Sequence, residues 1–281
     1  MLPEVVACLA CPHCREPLAS DGPGVLRCAG GRHVFDVARQ GYVSLLPGDA
    51  RTGTADTAAM VAARADFLAA GHYAAVAEEL ARSAGEAYPG AGCVADLGAG
   101  TGYYLAAVLD ALPQPVPGLA LDLSKFALRR AARAHPRAGA VVCDAWRPLP
   151  VRDGAAGLVL NVFAPRRGEE IRRVLRPGGS LLVVSPAPGH LAELVGALGL
   201  LAVDERKEER LHTALGPYLE HAGTRELDVG MALDHAAVET VVLMGPSAWH
   251  TDPEALRARI AALPDPVRVG TSVRISRWLR R

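Results

Sequence analysis

Cys11-Pro12-His13-Cys14 is a knuckle whose spacing presents two thiols to one metal ion. Cys28 and His33 follow. Three thiolates and one imidazole make a closed tetrahedral Zn2+ site, which is structural rather than catalytic. Residues 1–46 alone bury too little core to fold, so a metal there supplies stability directly. His13 lies inside the knuckle and is expected to face solvent. Cys8 is expected to be a buried thiol, and Cys93 and Cys143 sit in apolar strands as core residues.

A second set of residues is built for a nucleoside-bearing ligand. Gly98, Gly100 and Gly102 follow the apolar run Cys93–Leu97 and precede a helical stretch. Without Cβ atoms, a ligand can approach that backbone closely, and the helix N-terminus offers free N–H groups to a carboxylate. Asp122 ends the next strand, about 20 residues on, where an acid can accept from ribose hydroxyls. Asp144 ends the third strand, placed to accept from an adenine amino group. Asp96 lies inside the first strand, near the amino-acid end of such a ligand. A lone strand-end Asp is commonly a helix cap; three beside one glycine loop point to a site. The Gly-x-Gly-x-Gly spacing falls one residue short of the dinucleotide fingerprint. Asp96-Leu97-Gly98-Ala99-Gly100-Thr101-Gly102 resembles motif I of the class I methyltransferases, as does Leu175-Arg176-Pro177-Gly178-Gly179 before a later strand. That resemblance implies S-adenosyl-L-methionine as cofactor.

The elements that must position these groups alternate from residue 92 onward. Strands are expected at Cys93–Leu97, Leu119–Leu123, Ala140–Cys143, Gly157–Phe163 and Ser180–Ser185. Helices are expected at Tyr103–Leu112, Lys125–Ala134, Glu169–Leu175 and His190–Leu198. Continuous apolar strands separated by helices imply a parallel sheet covered on both faces, a doubly wound Rossmann-like α/β domain. Residues 55–70 and 74–86 read as helices after a polar linker, Pro47–Thr54. In the tail, Asp234–Met244 and Pro253–Leu263 read as helices and Val267–Trp278 as a late edge strand. The resulting division is a 1–46 zinc-binding module, a 47–91 helical linker region and a 92–281 methyltransferase domain.

Half of the residues are hydrophobic and the formal net charge is zero. No overall field therefore recruits nucleic acid or a membrane. The start, Met1-Leu2-Pro3-Glu4-Val5, has neither a basic region nor a long apolar run, and no stretch reaches the roughly 20 apolar residues of a membrane span. A cytoplasmic protein with reduced thiols is expected.

The chain as a whole resembles the bacterial 23S rRNA guanine-N1 methyltransferases, which modify a hairpin at the peptide exit tunnel. The resemblance rests on the Cys-Pro-x-Cys knuckle with its later Cys and His, and on the run Phe35–Leu46. It also rests on Arg64–Tyr73, Leu121-Asp122-Leu123-Ser124-Lys125 and Phe163-Ala164-Pro165. Within the family the chain looks nearest the tylosin-resistance branch, which implies a role in macrolide resistance. The gap from Cys28 to His33 looks one residue longer than in the enterobacterial branch. The resemblance implies metal ligands at Cys11, Cys14, Cys28 and His33, and cofactor contacts at Tyr73, Thr101, Gly102 and His190. It also implies a 23S rRNA hairpin as partner and a homodimer.

The residues offer no obvious general base for removing the N1 proton, so holding N1 in line with the donor methyl is expected to supply much of the rate. Phosphate contacts are expected from Arg15, Arg27, Arg32 and Arg39 and from the five arginines of the last 14 residues. A small-molecule methyltransferase with an accessory zinc module is the rival reading.

Overall fold

A computed structural model describes the chain except residues 51, 54, 205 and 246–251. Arg51 and Thr54 of the expected linker thus lie outside the described residues.

The N-terminal zone opens with α1 (Pro3–Val6). A three-stranded antiparallel sheet follows, made of β1 (Leu18–Ser20), β2 (Val25–Cys28) and β3 (Val34–Asp36). Its next strand, β4 (Tyr42–Ser44), leaves that sheet and pairs in parallel with β7 (Ala138–Val142). The zone is therefore joined to the main sheet by backbone hydrogen bonds. Val5 lies flat on that sheet at Gly139, where a Cβ would meet Val5 Cγ1 at 2.4 Å.

The main sheet has eight strands in the order β10-β11-β9-β8-β5-β6-β7-β4. Here β5 is Cys93–Leu97, β6 Gly118–Asp122, β8 Ala156–Val162, β9 Leu175–Pro186, β10 Leu219–Leu233 and β11 Val267–Arg280. Strands β4 to β9 in this sheet run parallel, while β11 and β10 add antiparallel. Neighbouring strand residues point to opposite faces. Val94 joins a core with Leu80, Leu105, Leu128 and Val238, whereas Cys93 and Ala95 join one with Leu9, Leu26, Ile171 and Trp278. Both faces are covered, which is why these strands read as unbroken apolar runs.

The first face carries α2 (Ala58–Ala69), α3 (Ala74–Ala87), α4 (Tyr103–Ala111), α5 (Lys125–Ala131), α7 (Ala192–Leu198), α9 (His235–Leu243) and α10 (Pro253–Ala261). The second carries the zinc zone, α6 (Gly168–Val174) and α8 (Lys207–Leu215).

Two features depart from the sequence reading. The late strand β11 is internal rather than at an edge, because β10 covers it. β10 gave no signal because all but its two end residues are exposed or half-buried. Helix α8 was also missed; only Leu211 and Leu215 of it are buried. The sheet order reverses beside β5, which pairs with β6 on one side and β8 on the other. A crevice opens at the carboxyl ends of the strands at such a reversal.

Candidate active site and metal centre

The ligand atoms of Cys11, Cys14, Cys28 and His33 lie within 4.8 Å of one another. His33 Nδ1 is 3.4 Å from Cys11 Sγ and 3.6 Å from Cys28 Sγ. Zn–S bonds of ~2.3 Å and a Zn–N bond of ~2.0–2.1 Å at a tetrahedral angle separate S from N by about 3.6 Å. The four residues therefore fit Zn2+. Burial pushes the Cys28 thiol up, but hydrogen bonds from the His33 backbone and ring outweigh it and bring it down to about 6. The thiolate is the form that binds metal. His13 is exposed and its ring lies against His33 and Phe35, outside the cluster. Cys8, Cys93 and Cys143 are buried, as expected.

Arg15 closes the knuckle with φ 64°. Its guanidinium donates to the carbonyls of Leu149, at 2.9 Å, and Val151, at 3.4 Å. Arg173 of α6 donates to the same two carbonyls at 2.9 and 2.7 Å. The two like charges are offset by Glu170 and Asp153, each paired with Arg173. Arg15 is thus engaged inside the protein rather than offered to phosphate, and Arg27 pairs with Asp21 at 2.6 Å. Two of the C-terminal arginines are similarly held. Arg274 pairs with Glu208 at 2.6 Å and Glu226 at 2.8 Å, and Arg280 donates to the Leu175 carbonyl. An internal strand places its arginines beside acids of its neighbours, which the sequence pattern alone does not reveal.

The crevice at the strand ends is a cavity of about 690 Å³. That lies within the ~300–1,000 Å³ of small-molecule sites. Gly98, Gly100, Thr101, Asp122, Asp144, Tyr73 and His190 all line it. Gly98, Gly100 and Gly102 have φ of 74°, 54° and 81°, in the left-handed region that favours glycine. A Cβ on Gly98 would lie 2.4 Å from Ala164 Cβ, so the glycine loop and the loop after β8 are in direct contact. Asp122 braces the loop: Oδ2 accepts the Gly100 N–H at 2.9 Å and Oδ1 the Ser124 N–H at 2.7 Å. Burial raises its pKa against those two hydrogen bonds. Asp144 Oδ1 accepts the Trp146 N–H at 2.9 Å.

Asp96 and Gly102 stand apart from the cavity lining. Gly102 instead packs on α5, where a Cβ would meet Ala131 and Ala134. Asp96 is 1% exposed, and neither carboxylate oxygen has a hydrogen-bond partner. Burial, and then the nearby Asp122 carboxylate, push it up to about 8. A buried carboxyl group without a partner near the end of β5 carries a desolvation cost that a ligand bringing a cation would offset.

Also in the cavity lining, Tyr73 Oη and His190 Nε2 are 3.2 Å apart. Burial raises the Tyr73 phenol and lowers His190 to about 4, so both are neutral near pH 7. Asn161 is fully buried and its amide donates to the carbonyls of Leu97, at 3.3 Å, and Pro165, at 3.0 Å. It therefore shapes the loop after β8 instead of reaching into the cavity.

Sequence reading missed Arg64 as a site residue. It reaches from α2 to the cavity, pairs with Asp56 and donates to the Met244 carbonyl at 2.7 Å. A Cβ on Gly100 would lie 3.6 Å from its Nη1. The contact depends on folding α2 over the loop, so only the motif match around Arg64 hinted at it.

A zinc-ribbon family described as "RlmA, N-terminal" matches residues 9–52, and a methyltransferase-domain family matches residues 94–179. A Streptomyces fradiae protein named 23S rRNA (guanine(748)-N(1))-methyltransferase is 56% identical, over 94% of each chain. A Micromonospora griseorubida relative assigned to the same guanine-N1 class is 52% identical over 99% of each chain. A Bacillus halodurans structure of the methyltransferase fold has a TM-score of 0.51 at 17% identity, over 72% of this chain and 97% of that one. The glycine loop, the three-thiolate cluster and these relatives agree, and the chain belongs to the 23S rRNA (guanine-N1)-methyltransferase family, with an RlmA-type zinc ribbon at its N-terminus.

Proposed function

We propose that this protein transfers a methyl group from S-adenosylmethionine to N1 of a guanine in a 23S rRNA hairpin at the peptide exit tunnel. In this reading the modification protects the ribosome against tylosin-type macrolides. One observation carries the proposal. The strand-end cavity gathers the glycine loop, Asp122, Asp144 and the Tyr73–His190 pair, and the buried Asp96 of β5 has no hydrogen-bond partner.

The residues have roles that follow from their chemistry. Asp122 uses one lone pair of each oxygen on the protein backbone, which leaves others to accept ribose hydroxyls. Asp144 accepts from the adenine edge. Asp96 offsets the ligand's ammonium, and Arg64 beside Gly100 attracts its carboxylate. Thr101 and the N-cap Gly102 lead into α4, whose N-terminus favours that same carboxylate. Tyr73 and His190 stay neutral and close the cavity towards the substrate. Cys11, Cys14, Cys28 and His33 hold Zn2+, which fixes the ribbon against the sheet.

When bound, the cofactor supplies an electrophilic methyl group. The protein supplies alignment: holding N1 against that methyl turns an encounter in solution into a positioned one. Residues 1–46 serve as the RNA-recognition unit, 47–91 as the helical cover and 92–281 as the methyltransferase domain. The protein works as a homodimer in the cytoplasm, and no described helix is long and apolar enough to cross a membrane.

Primer extension tests the proposal. N1 methylation blocks the base-pairing edge of guanine, so reverse transcriptase stops one nucleotide before it. 23S rRNA treated with protein and cofactor is expected to give one new stop at a hairpin guanine. An unchanged stop pattern rejects the reading.

A further inference from the structure

Six large apolar side chains are exposed among the described residues: Met1, Leu2, Val34, Trp146, Phe163 and Leu201. Three of them, Trp146, Phe163 and Leu201, border the same cavity. Trp146 is 64% exposed and Phe163 is 40% exposed. Folding normally covers rings of this size, and apolar side chains gathered at the rim of one cavity mark a binding surface.

The two rings stand on separate loops that are tied together. Trp146 follows β7, and its N–H is held by Asp144 Oδ1 at 2.9 Å. Phe163 follows β8 and is held at φ 52°, one of three non-glycine residues in the left-handed region among the described residues. Backbone strain of this kind is retained where surrounding structure enforces it, and it clusters at ligand sites. Phe163 N–H donates to the Val184 carbonyl at 3.0 Å, and Asn161 pins the Pro165 carbonyl at 3.0 Å. Arg167, from the Phe163 loop, donates to the Trp146 carbonyl at 3.2 Å. Both rings are thus held on braced loops at the cavity mouth. The Phe163 ring lies 6.3 Å from Tyr73 and 5.8 Å from His190, so it belongs to the same ring cluster in the cavity lining.

We propose that Trp146 and Phe163 are the nucleobase grip of this enzyme, the surfaces on which the target guanine rests once it leaves its stack. The proposal rests on the rRNA-methylation reading. A base taken out of a helix loses stacking on both faces, and aromatic side chains replace that contact. The same rim carries charge suited to a nucleotide rather than a neutral small molecule. Lys207 and Arg210 of α8 line the cavity, Arg210 also pairing with Asp204. A cation there meets the phosphate of the nucleotide whose base enters. Trp146 and Phe163 act on binding and position; neither exchanges a proton.

The test uses the full-length zinc-bound protein with a 23S rRNA hairpin transcript and S-adenosylmethionine. Trp146→Ala, Phe163→Ala and the ring-preserving Trp146→Phe are compared with the parent. Each alanine variant is expected to lower kcat/KM for RNA by roughly tenfold or more. Trp146→Phe recovers most of that loss. Affinity for S-adenosylhomocysteine, read by calorimetry, stays within about twofold in every variant. Both rings are exposed, so the variants fold, and unchanged melting confirms it. Undiminished kcat/KM in the alanine variants overturns the grip while leaving rRNA methylation intact. Loss of S-adenosylhomocysteine affinity in step with activity also overturns it, since the rings would then cover the cofactor. A parent that methylates no rRNA overturns the functional reading and the grip together.

Discussion

Asp122 Oδ2 accepts the Gly100 N–H at 2.9 Å, so the end of the second parallel strand holds the glycine loop by a carboxylate. The acid proposed to hold a ribose thus also fixes the backbone of the glycine loop. Asp122→Ala is expected to lose both functions. It leaves the buried Gly100 and Ser124 N–H groups unpaired, each at a cost of about 1–3 kcal/mol in stability. Affinity for S-adenosylhomocysteine, read by calorimetry, should fall at least tenfold. Affinity equal to the parent's would remove Asp122 from the site.

Asp96 gives a pH signature. Its pKa is raised from 3.8 to about 8 in the folded protein by burial and by Asp122. The folded state therefore keeps a proton that the unfolded chain releases. Stability from this group is full below pH 3.8 and is lost as pH rises through about 8. Asp96→Asn lacks the titration. Its melting temperature should gain on the parent's steadily between those limits, while its cofactor binding is lost. A gap that stays constant with pH contradicts the assignment.

The zinc ribbon should matter beyond its own residues. Leu9, Cys11, Leu26 and Cys28 share a core with the β5 residues Cys93, Ala95 and Leu97. Metal removal is thus expected to lower the melting temperature of the whole protein. Circular dichroism after chelation, with zinc loss verified, checks this. An unchanged transition would show that the cluster is no structural zinc site.

Gly98→Ala tests the contact between the two active-site loops. Its Cβ would lie 2.4 Å from that of Ala164, at a φ of 74°. Overpacking of this kind costs about 1–3 kcal/mol. Ala164→Gly in the same chain should restore part of the loss, which denaturant unfolding can measure. No loss in the single variant contradicts the close approach.

Arg15 separates RNA contact from docking. Its removal should destabilise the protein by loosening the Leu149 and Val151 carbonyls, with little change in the salt dependence of RNA binding. A lower salt slope at unchanged stability reverses that assignment.

The parallel core was legible because its strands are buried on both faces and carry unbroken apolar runs between glycines and helices. The metal set was legible because a knuckle fixes two ligands locally. Strand β10 was not, since its exposed residues leave no pattern. Nor was the pairing of Tyr42–Ser44 with the main sheet, which depends on a partner almost 100 residues away. Asp96 was found by its place in the motif, but its orphaned state follows only from packing. Trp146 and Phe163 carried no signal of exposure in the sequence. Aromatic residues beside apolar strands read as core until the loops are in place.

The cavity above β5, β6 and β8 is expected to carry methyl transfer to one guanine N1 of 23S rRNA. Incubating that rRNA with isotope-labelled S-adenosylmethionine and analysing its nucleosides by mass spectrometry tests this most directly. Labelled 1-methylguanosine is expected at one per rRNA with the parent, and none with Gly100→Arg, whose side chain would fill the cofactor slot. Label in another nucleoside, or equal label from Gly100→Arg, contradicts it.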